Sequence, residues 1–206
     1  MRYDFIIVGA GSAGSALANR LTENPDNRVL LLEAGGADSH PWVRIPMGYG
    51  KVFYDKRVNW KYTTEPNETL DGNRIYWPRG KVMGGSSSIN AMVYVRGHPQ
   101  DYDHWAKDAP GWSWTDVAPV FKRMENWVGA ANPDRGRDGP LTVRDIADDA
   151  HPLCANYLTA AEQAGFAYNP DYNSGQMEGA ALYQITTKNG LRASAARAYI
   201  LSLIHI

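Results

Sequence analysis

The sequence predicts an α/β protein opening on a doubly wound, Rossmann-like parallel sheet. Three observations carry that expectation. An apolar run, Phe5-Ile6-Ile7-Val8, stops at the glycine-rich turn Gly9-Ala10-Gly11-Ser12-Ala13-Gly14, and a helix-compatible segment follows. A second apolar run, Val29-Leu30-Leu31-Leu32, then ends at Glu33. Strand, helix and strand in so short a span make a βαβ unit.

Tyr3 to Val8 is rich in β-branched and aromatic residues, which predicts a short buried strand ended by Gly9. Ser12 to Thr22 is expected to be a helix, with Ala16, Leu17, Ala18 and Leu21 as apolar positions. Asn24-Pro25-Asp26-Asn27 turns the chain. Arg28 to Leu32 is a second strand, apolar on both faces as an interior parallel strand is.

From Gly35 to Gly139 the regular pattern breaks down, and this region holds all 7 tryptophans. So long a stretch is expected to form functional loops over a scaffold. Within it, Trp60-Lys61-Tyr62-Thr63 and Arg74-Ile75-Tyr76-Trp77 are expected to pair as a hairpin, with Asp71-Gly72 as the turn signal. Pro99 to Lys107 reads as a short helix, and Ser113 to Glu125 as a longer one that Pro119 should kink or split. Beyond Gly139-Pro140, LTVRDI reads as a strand. His151 to Ala164 reads as a helix with Pro152 in its first turn and Gly165 as its stop. Asn169 to Gly175 is a loop, and Ser194 to Ile200 begins another helix.

The totals exclude several function classes. Of 206 residues, 44% are hydrophobic and 21% charged, an ordinary globular balance that excludes a fully disordered chain. A net charge of −1 and the lack of a basic stripe give nucleic acid no footing. Cys154 is the only cysteine, so neither an internal disulfide nor a cysteine zinc cluster can form. No apolar run reaches the length of a membrane span. Phe5–Val8 is too short for a signal-peptide core, and Asp4 stands where positive charge is needed. The expected location is cytoplasmic, with membrane association left open for a longer protein.

The first chemical signal is G-x-G-x-x-G at Gly9, Gly11 and Gly14. The first glycine permits a tight turn, the second a close approach of backbone to a pyrophosphate, and the third close packing of helix on strand. The carboxylate of Glu33 can accept hydrogen bonds from an adenosine ribose. These residues call for a dinucleotide; NAD and FAD both satisfy them.

The second signal is Arg79-Gly80-Lys81-Val82-Met83-Gly84-Gly85-Ser86-Ser87-Ser88-Ile89-Asn90. Gly84 and Gly85 let backbone come against a flat ring or a phosphate. Ser86 and its neighbours supply hydroxyls and cap oxygens, and Asn90 can both donate and accept. Such a loop suits a second contact with a large cofactor better than it suits a linker.

DFIIVGAGSAGSALANRLTENPDNRVLLLEAGG, NWKYTTEP and PRGKVMGGSSSINAMVYVRGHPQDYDHWA strongly resemble the glucose–methanol–choline (GMC) oxidoreductases. GWSWTDVAPVFKRMEN, GPLTV, YNPDYNSGQMEGA and NGLRASAARAY continue the resemblance in order, from Asp4 to about Tyr199. The resemblance implies an incomplete FAD-binding region over residues 1–145. It implies that residues 146–200 enter the substrate-binding region, and that 201–206 form a tail foreign to the family.

By the same resemblance the cofactor is FAD, accepting a hydride from the carbon of a choline-like, aliphatic or aromatic alcohol. Gly9, Gly11 and Gly14 would line the pyrophosphate and Glu33 would hold the ribose. Ser12, Ala13, Ala34, Arg79, Gly84, Gly85 and Ser86 add to the expected contacts, and Val82, Asn90, Ala91, Met92 and Val93 lie near the flavin. Some relatives tether the flavin through a histidine just before that asparagine; Ile89 stands there in this chain, which implies noncovalent FAD. Ala91 replaces a common family glycine. The electron acceptor would be a quinone, a dye-type acceptor or oxygen.

The family's catalytic histidine and its partner match no residue of this chain, so no catalytic residue is expected within it. His98 reads as structural, His40 and His151 as turn or helix-start residues, and Asp101, Asp103 and His104 as helix caps and flanks. No metal site is expected. Two other readings stay open: a non-catalytic FAD-binding fragment, and an NAD-dependent dehydrogenase resting on the first motif alone.

Overall fold

A computed structural model describes residues 2–201. The chain divides into two compact units. One comprises the residues up to Met92 together with those from Thr187 onward, and the other is Val93–Thr186.

The first unit opens on strand β1 (Phe5–Val8), helix α1 (Ser12–Leu21) and strand β2 (Val29–Leu32). The strands pair in parallel, Phe5 opposite Val29 and Val8 opposite Leu32. Asp4 fixes the register from outside, its Oδ2 accepting the Arg28 N–H at 2.9 Å. Burial departs from the expectation of strands covered on both faces. Only Ile7 of β1 is buried, while Ile6 is 61% and Val8 84% exposed. Among the described residues the two strands pair with each other alone, and α1 covers one face.

Two short helices, α2 (Pro41–Arg44) and α3 (Tyr49–Val52), follow. Val43 and Val52 from them join Val58, Val82 and Ile89 in the unit's apolar core. The expected hairpin forms as β3 (Tyr62–Thr63) against β4 (Tyr76–Trp77). Asp71 and Gly72 both take positive φ, +53° and +74°, as that turn requires. A second hairpin, Thr187–Lys188 with Leu191–Arg192, closes through Asn189 and Gly190 at φ +51° and +74°. A π-helical turn, Ala196–Ile200, then packs against α1. Of the tail expected over 201–206, only Leu201 is described.

The second unit holds α4 (Pro99–Trp105), α5 (Trp114–Met124), parallel strands β5 (Glu125–Val128) and β6 (Leu141–Arg144), and α6 (Leu153–Gln163). Pro119 does not split α5, which runs unbroken through it. A capping box holds the start of α5, Ser113 and Asp116 each engaging the other's backbone N–H. Gly165 stops α6 at φ +90°. Tyr94, Trp127 and Val143 form the apolar core.

Beside that core lies a buried ionic network. Glu125 accepts Arg135 Nε at 2.8 Å, Arg135 Nη2 at 3.1 Å and Arg96 Nη2 at 3.1 Å. Arg135 also donates to Asp171 Oδ1 at 2.6 Å, and its guanidinium lies 3.8 Å from the centre of the Trp127 ring.

Candidate functional site

In the first unit two glycine-bearing loops meet face to face. Gly9 turns the chain off β1 at φ +98°, and its N–H donates to the Leu32 carbonyl at 2.7 Å. A Cβ at Gly14 would fall 1.9 Å from the Gly9 carbonyl oxygen, so α1 reaches β1 only because residue 14 lacks a side chain. A Cβ at Gly11 would meet no protein atom within 4 Å. That open space, at the uncapped N-terminus of a 10-residue helix with no acid in its first turn, suits a phosphate group.

The second loop turns through Gly84 and Gly85, at φ +88° and +55°. A Cβ at Gly85 would lie 2.8 Å from Gly11 Cα, and the Gly84 N–H donates to the Ala10 carbonyl at 2.8 Å. Gly35 makes a similar close approach, its missing Cβ 2.1 Å from the Lys81 backbone. The Met83 N–H donates to the Gly36 carbonyl at 2.9 Å and extends that junction.

These loops border a cleft of about 690 Å³. Of the expected cofactor contacts, Gly9, Gly11, Ser12, Glu33, Ala34, Arg79, Gly85 and Ser86 line it. Val8, Leu32, Trp60, Tyr62 and Gly80 line it as well and were not anticipated. Val8 and Leu32 end the two parallel strands, and ligands of such sheets gather at that end, so their positions carried a signal. Trp60 and Tyr62 stack with ring centres 5.9 Å apart, and Lys81 Nζ sits 4.5 Å over the Trp60 ring.

The other expected contacts stand elsewhere. Ala13 and Gly14 are not among the lining residues. Val82 is wholly buried in the core, and Gly84 is buried with Ser88 Oγ and Ala196 Cβ nearest to the place a Cβ would occupy. Asn90 and Ala91 are exposed, and Met92 is buried at φ +64°. Val93 begins the second unit, where it bridges to Ile185 and is 37% exposed.

The Glu33 carboxylate is already oriented. Its Oε2 accepts the Ala10 N–H at 2.8 Å and its Oε1 accepts the Gly35 N–H at 2.9 Å. Each oxygen keeps a further lone pair for a ribose hydroxyl.

Three histidines share one structural task. The Nδ1 atoms of His40, His98 and His151 accept the N–H two residues on, each at 3.2 Å and each just ahead of a proline. Asp103 accepts the Trp114 N–H at 2.9 Å, tying α4 to the start of α5.

Comparison with known proteins decides which family this chain belongs to. The GMC oxidoreductase family matches residues 3–205. The chain belongs to that family. An oxygen-dependent choline dehydrogenase from Rhizobium rhizogenes is 48% identical over 201 residues, covering 97% of this chain and 36% of the relative. An alcohol dehydrogenase [acceptor] from Pseudomonas putida is 44% identical over 205 residues, covering 98% of this chain and 37% of the relative.

Among solved structures, pyridoxine 4-oxidase from Mesorbium loti superposes with a TM-score of 0.91 at 36% identity, covering 97% of this chain and 39% of that one. An FAD-dependent oxidoreductase from Chaetomium thermophilum gives 0.88 at 30% identity, covering 98% and 37%. This GMC oxidoreductase chain thus spans between 36% and 39% of the length of these relatives. GMC oxidoreductases bind FAD, which sets aside the NAD-dependent alternative. Among the described residues no helix is long and apolar enough to cross a membrane.

Proposed function

We propose that this chain forms the cofactor-holding part of an FAD-dependent alcohol oxidoreductase and binds FAD noncovalently. The observation that carries the proposal is the open space before Gly11, with Glu33 and the second glycine loop bordering the same cleft. A pyrophosphate fits the bare backbone at Gly11 and the free N–H groups of α1. The ribose fits the Glu33 carboxylate, whose negative charge disfavours a 2′-phosphate. Trp60 and Tyr62 supply flat apolar surface in the same cleft.

Bound FAD supplies a two-electron acceptor for the hydride that leaves the CH–OH carbon of an alcohol. The chain's own residues, the Gly11 backbone and the Glu33 carboxylate among them, would hold that acceptor. Ile89 offers no nucleophilic atom and is packed into the core, which supports noncovalent attachment. The alcohol's proton needs a base. Among the described residues the cleft lining includes no histidine, and Glu33 is engaged by two backbone N–H groups. As the resemblance implies, the base is placed outside this chain. Choline-like, aliphatic and aromatic alcohols fit this reading, with a quinone, a dye-type acceptor or oxygen as electron acceptor.

Titrating the purified chain with FAD is expected to give a yellow complex from which acid or denaturant releases free FAD. Adding an alcohol and a redox dye is expected to give no reduction, because the proton acceptor is lacking. Failure to take up flavin would refute the cofactor assignment. Robust alcohol-dependent dye reduction would refute the assignment of the base elsewhere and the non-catalytic reading with it.

A further inference from the structure

Trp60 and Tyr62 line the cleft, although neither belongs to the two glycine loops. Their rings are parallel within 6°, with centres 5.9 Å apart. A flat ring inserted between them would need about 7 Å, two carbon contacts of ~3.5 Å, so the pair is closed to intercalation. Lys81 Nζ covers one face of Trp60 from 4.5 Å. Among the described residues no cation and no other ring lies over Tyr62, and its hydroxyl makes no hydrogen bond. Tyr62 is the open member of the pair.

The pair is held in place at a conformational cost. Lys61, between the two aromatic residues, sits at φ +57°, in the left-handed region that a non-glycine residue rarely adopts. Asn59 braces it. That side chain is buried, and its Oδ1 accepts the Lys61 N–H at 2.9 Å and the Arg79 N–H at 3.0 Å. Its Nδ2 donates to the Phe53 carbonyl at 2.7 Å and to the Tyr76 hydroxyl at 3.2 Å. A strained residue braced by a fully engaged buried amide makes a surface that is set before any ligand arrives.

Backbone contacts fix which end of the cleft this surface serves. Three residues beyond Glu33, Gly36 bridges to Val82. The Lys81 N–H donates to the Val58 carbonyl at 2.8 Å, and the Trp60 N–H to the Arg79 carbonyl at 2.9 Å. The aromatic pair is thus tied to the strand end that carries the carboxylate assigned to the ribose. None of Asn90, Ala91, Met92 and Val93, the residues expected near the flavin, lines the cleft.

We propose that Tyr62, backed by Trp60, is the base-stacking residue of this cleft, and that the chain grips FAD by its adenosine diphosphate half. The proposal rests on the FAD reading above and goes beyond it, because ADP alone is then a ligand. An aromatic face accepts any base, so the platform supplies affinity and Glu33 the choice of ribose.

The test is calorimetric titration of the 206-residue chain with ADP, FMN and FAD, with the melt of each unliganded variant recorded beside it. ADP is expected to bind and to displace FAD. FMN, which carries the flavin ring and one phosphate but no adenosine, is not. Tyr62→Leu keeps an apolar side chain in the exposed hairpin and removes the flat face. It should leave the melt unchanged and weaken ADP and FAD alike by about tenfold, the scale of one lost base stack. Tyr62→Phe should restore both. Unchanged ADP affinity in Tyr62→Leu overturns the role of Tyr62. So does weakening that comes with a lowered melt and is not restored by Tyr62→Phe. FMN binding that Tyr62→Leu abolishes would put the flavin ring on this surface and overturn the proposal. FAD binding that ADP cannot displace overturns it as well, and leaves the FAD assignment standing. No binding of either ADP or FAD by wild type overturns both.

Discussion

Glu125→Ala is expected to cost the chain about 3–5 kcal/mol in a urea titration followed by tryptophan fluorescence, the scale for breaking a buried ion pair from one side. Glu125 is 0% exposed and accepts from Arg135 twice, from Arg96 once and from the Gly136 backbone N–H at 3.1 Å. Deleting it strands a guanidinium that is itself wholly buried, together with Arg96 at 3% side-chain exposure. Asp171 offsets part of the loss, because Arg135 Nη1 still reaches its Oδ1.

A double replacement, Glu125→Met with Arg135→Met, removes both charges and is expected to cost less than Glu125→Ala alone. Trp127, with the Arg135 guanidinium over its ring, should report the change directly. A Glu125→Ala chain within about 1 kcal/mol of wild type would contradict this account.

That network also shows where sequence reading reaches its limit. The βαβ opening was legible because its determinants are local: two apolar runs, three glycines at fixed spacing and an acid at the strand end. The Asp71-Gly72 turn was legible for the same reason, since positive φ at successive residues selects for such pairs. No local pattern marks Glu125, Arg96 and Arg135 as partners; only the fold joins them to one another and to Asp171 and Gln184. No periodicity announces that meeting, and Glu125, the first residue of β5, was read as the last residue of a helix.

Asn189-Gly190 did carry a hairpin signal, but its strands are 2 residues each, too short for alternation to show. Expected burial of β1 failed at Ile6 and Val8 because apolar composition tells what a strand can bury, not what arrives to cover it. The site divides in the same way. Gly9, Gly11 and Glu33 were legible by mechanism, whereas Trp60 and Tyr62 reach the cleft only through the long loop that carries the hairpin.

Gly11→Ala and Gly14→Ala are expected to separate binding from folding, though the glycines stand 3 residues apart in one motif. Gly11 has φ −71° and ψ −167°, a backbone alanine adopts without strain, and its added methyl meets only open space. Apoprotein stability should therefore stay within about 0.5 kcal/mol of wild type. The methyl occupies the place assigned to the pyrophosphate, so FAD affinity should fall at least about tenfold, or ~1.4 kcal/mol. Gly14→Ala drives its methyl into the Gly9 carbonyl oxygen and the Ile7 side chain, at 1.9 and 3.3 Å. Backbone cannot swing aside as a flexible side chain does, so α1 must lift from β1 at a cost of about 1–3 kcal/mol.

Both variants lose flavin, but only Gly14→Ala should melt early without it. Equal destabilisation by the two would mean that the space before Gly11 is not open in solution. Undiminished FAD binding by Gly11→Ala would mean that the phosphates lie elsewhere.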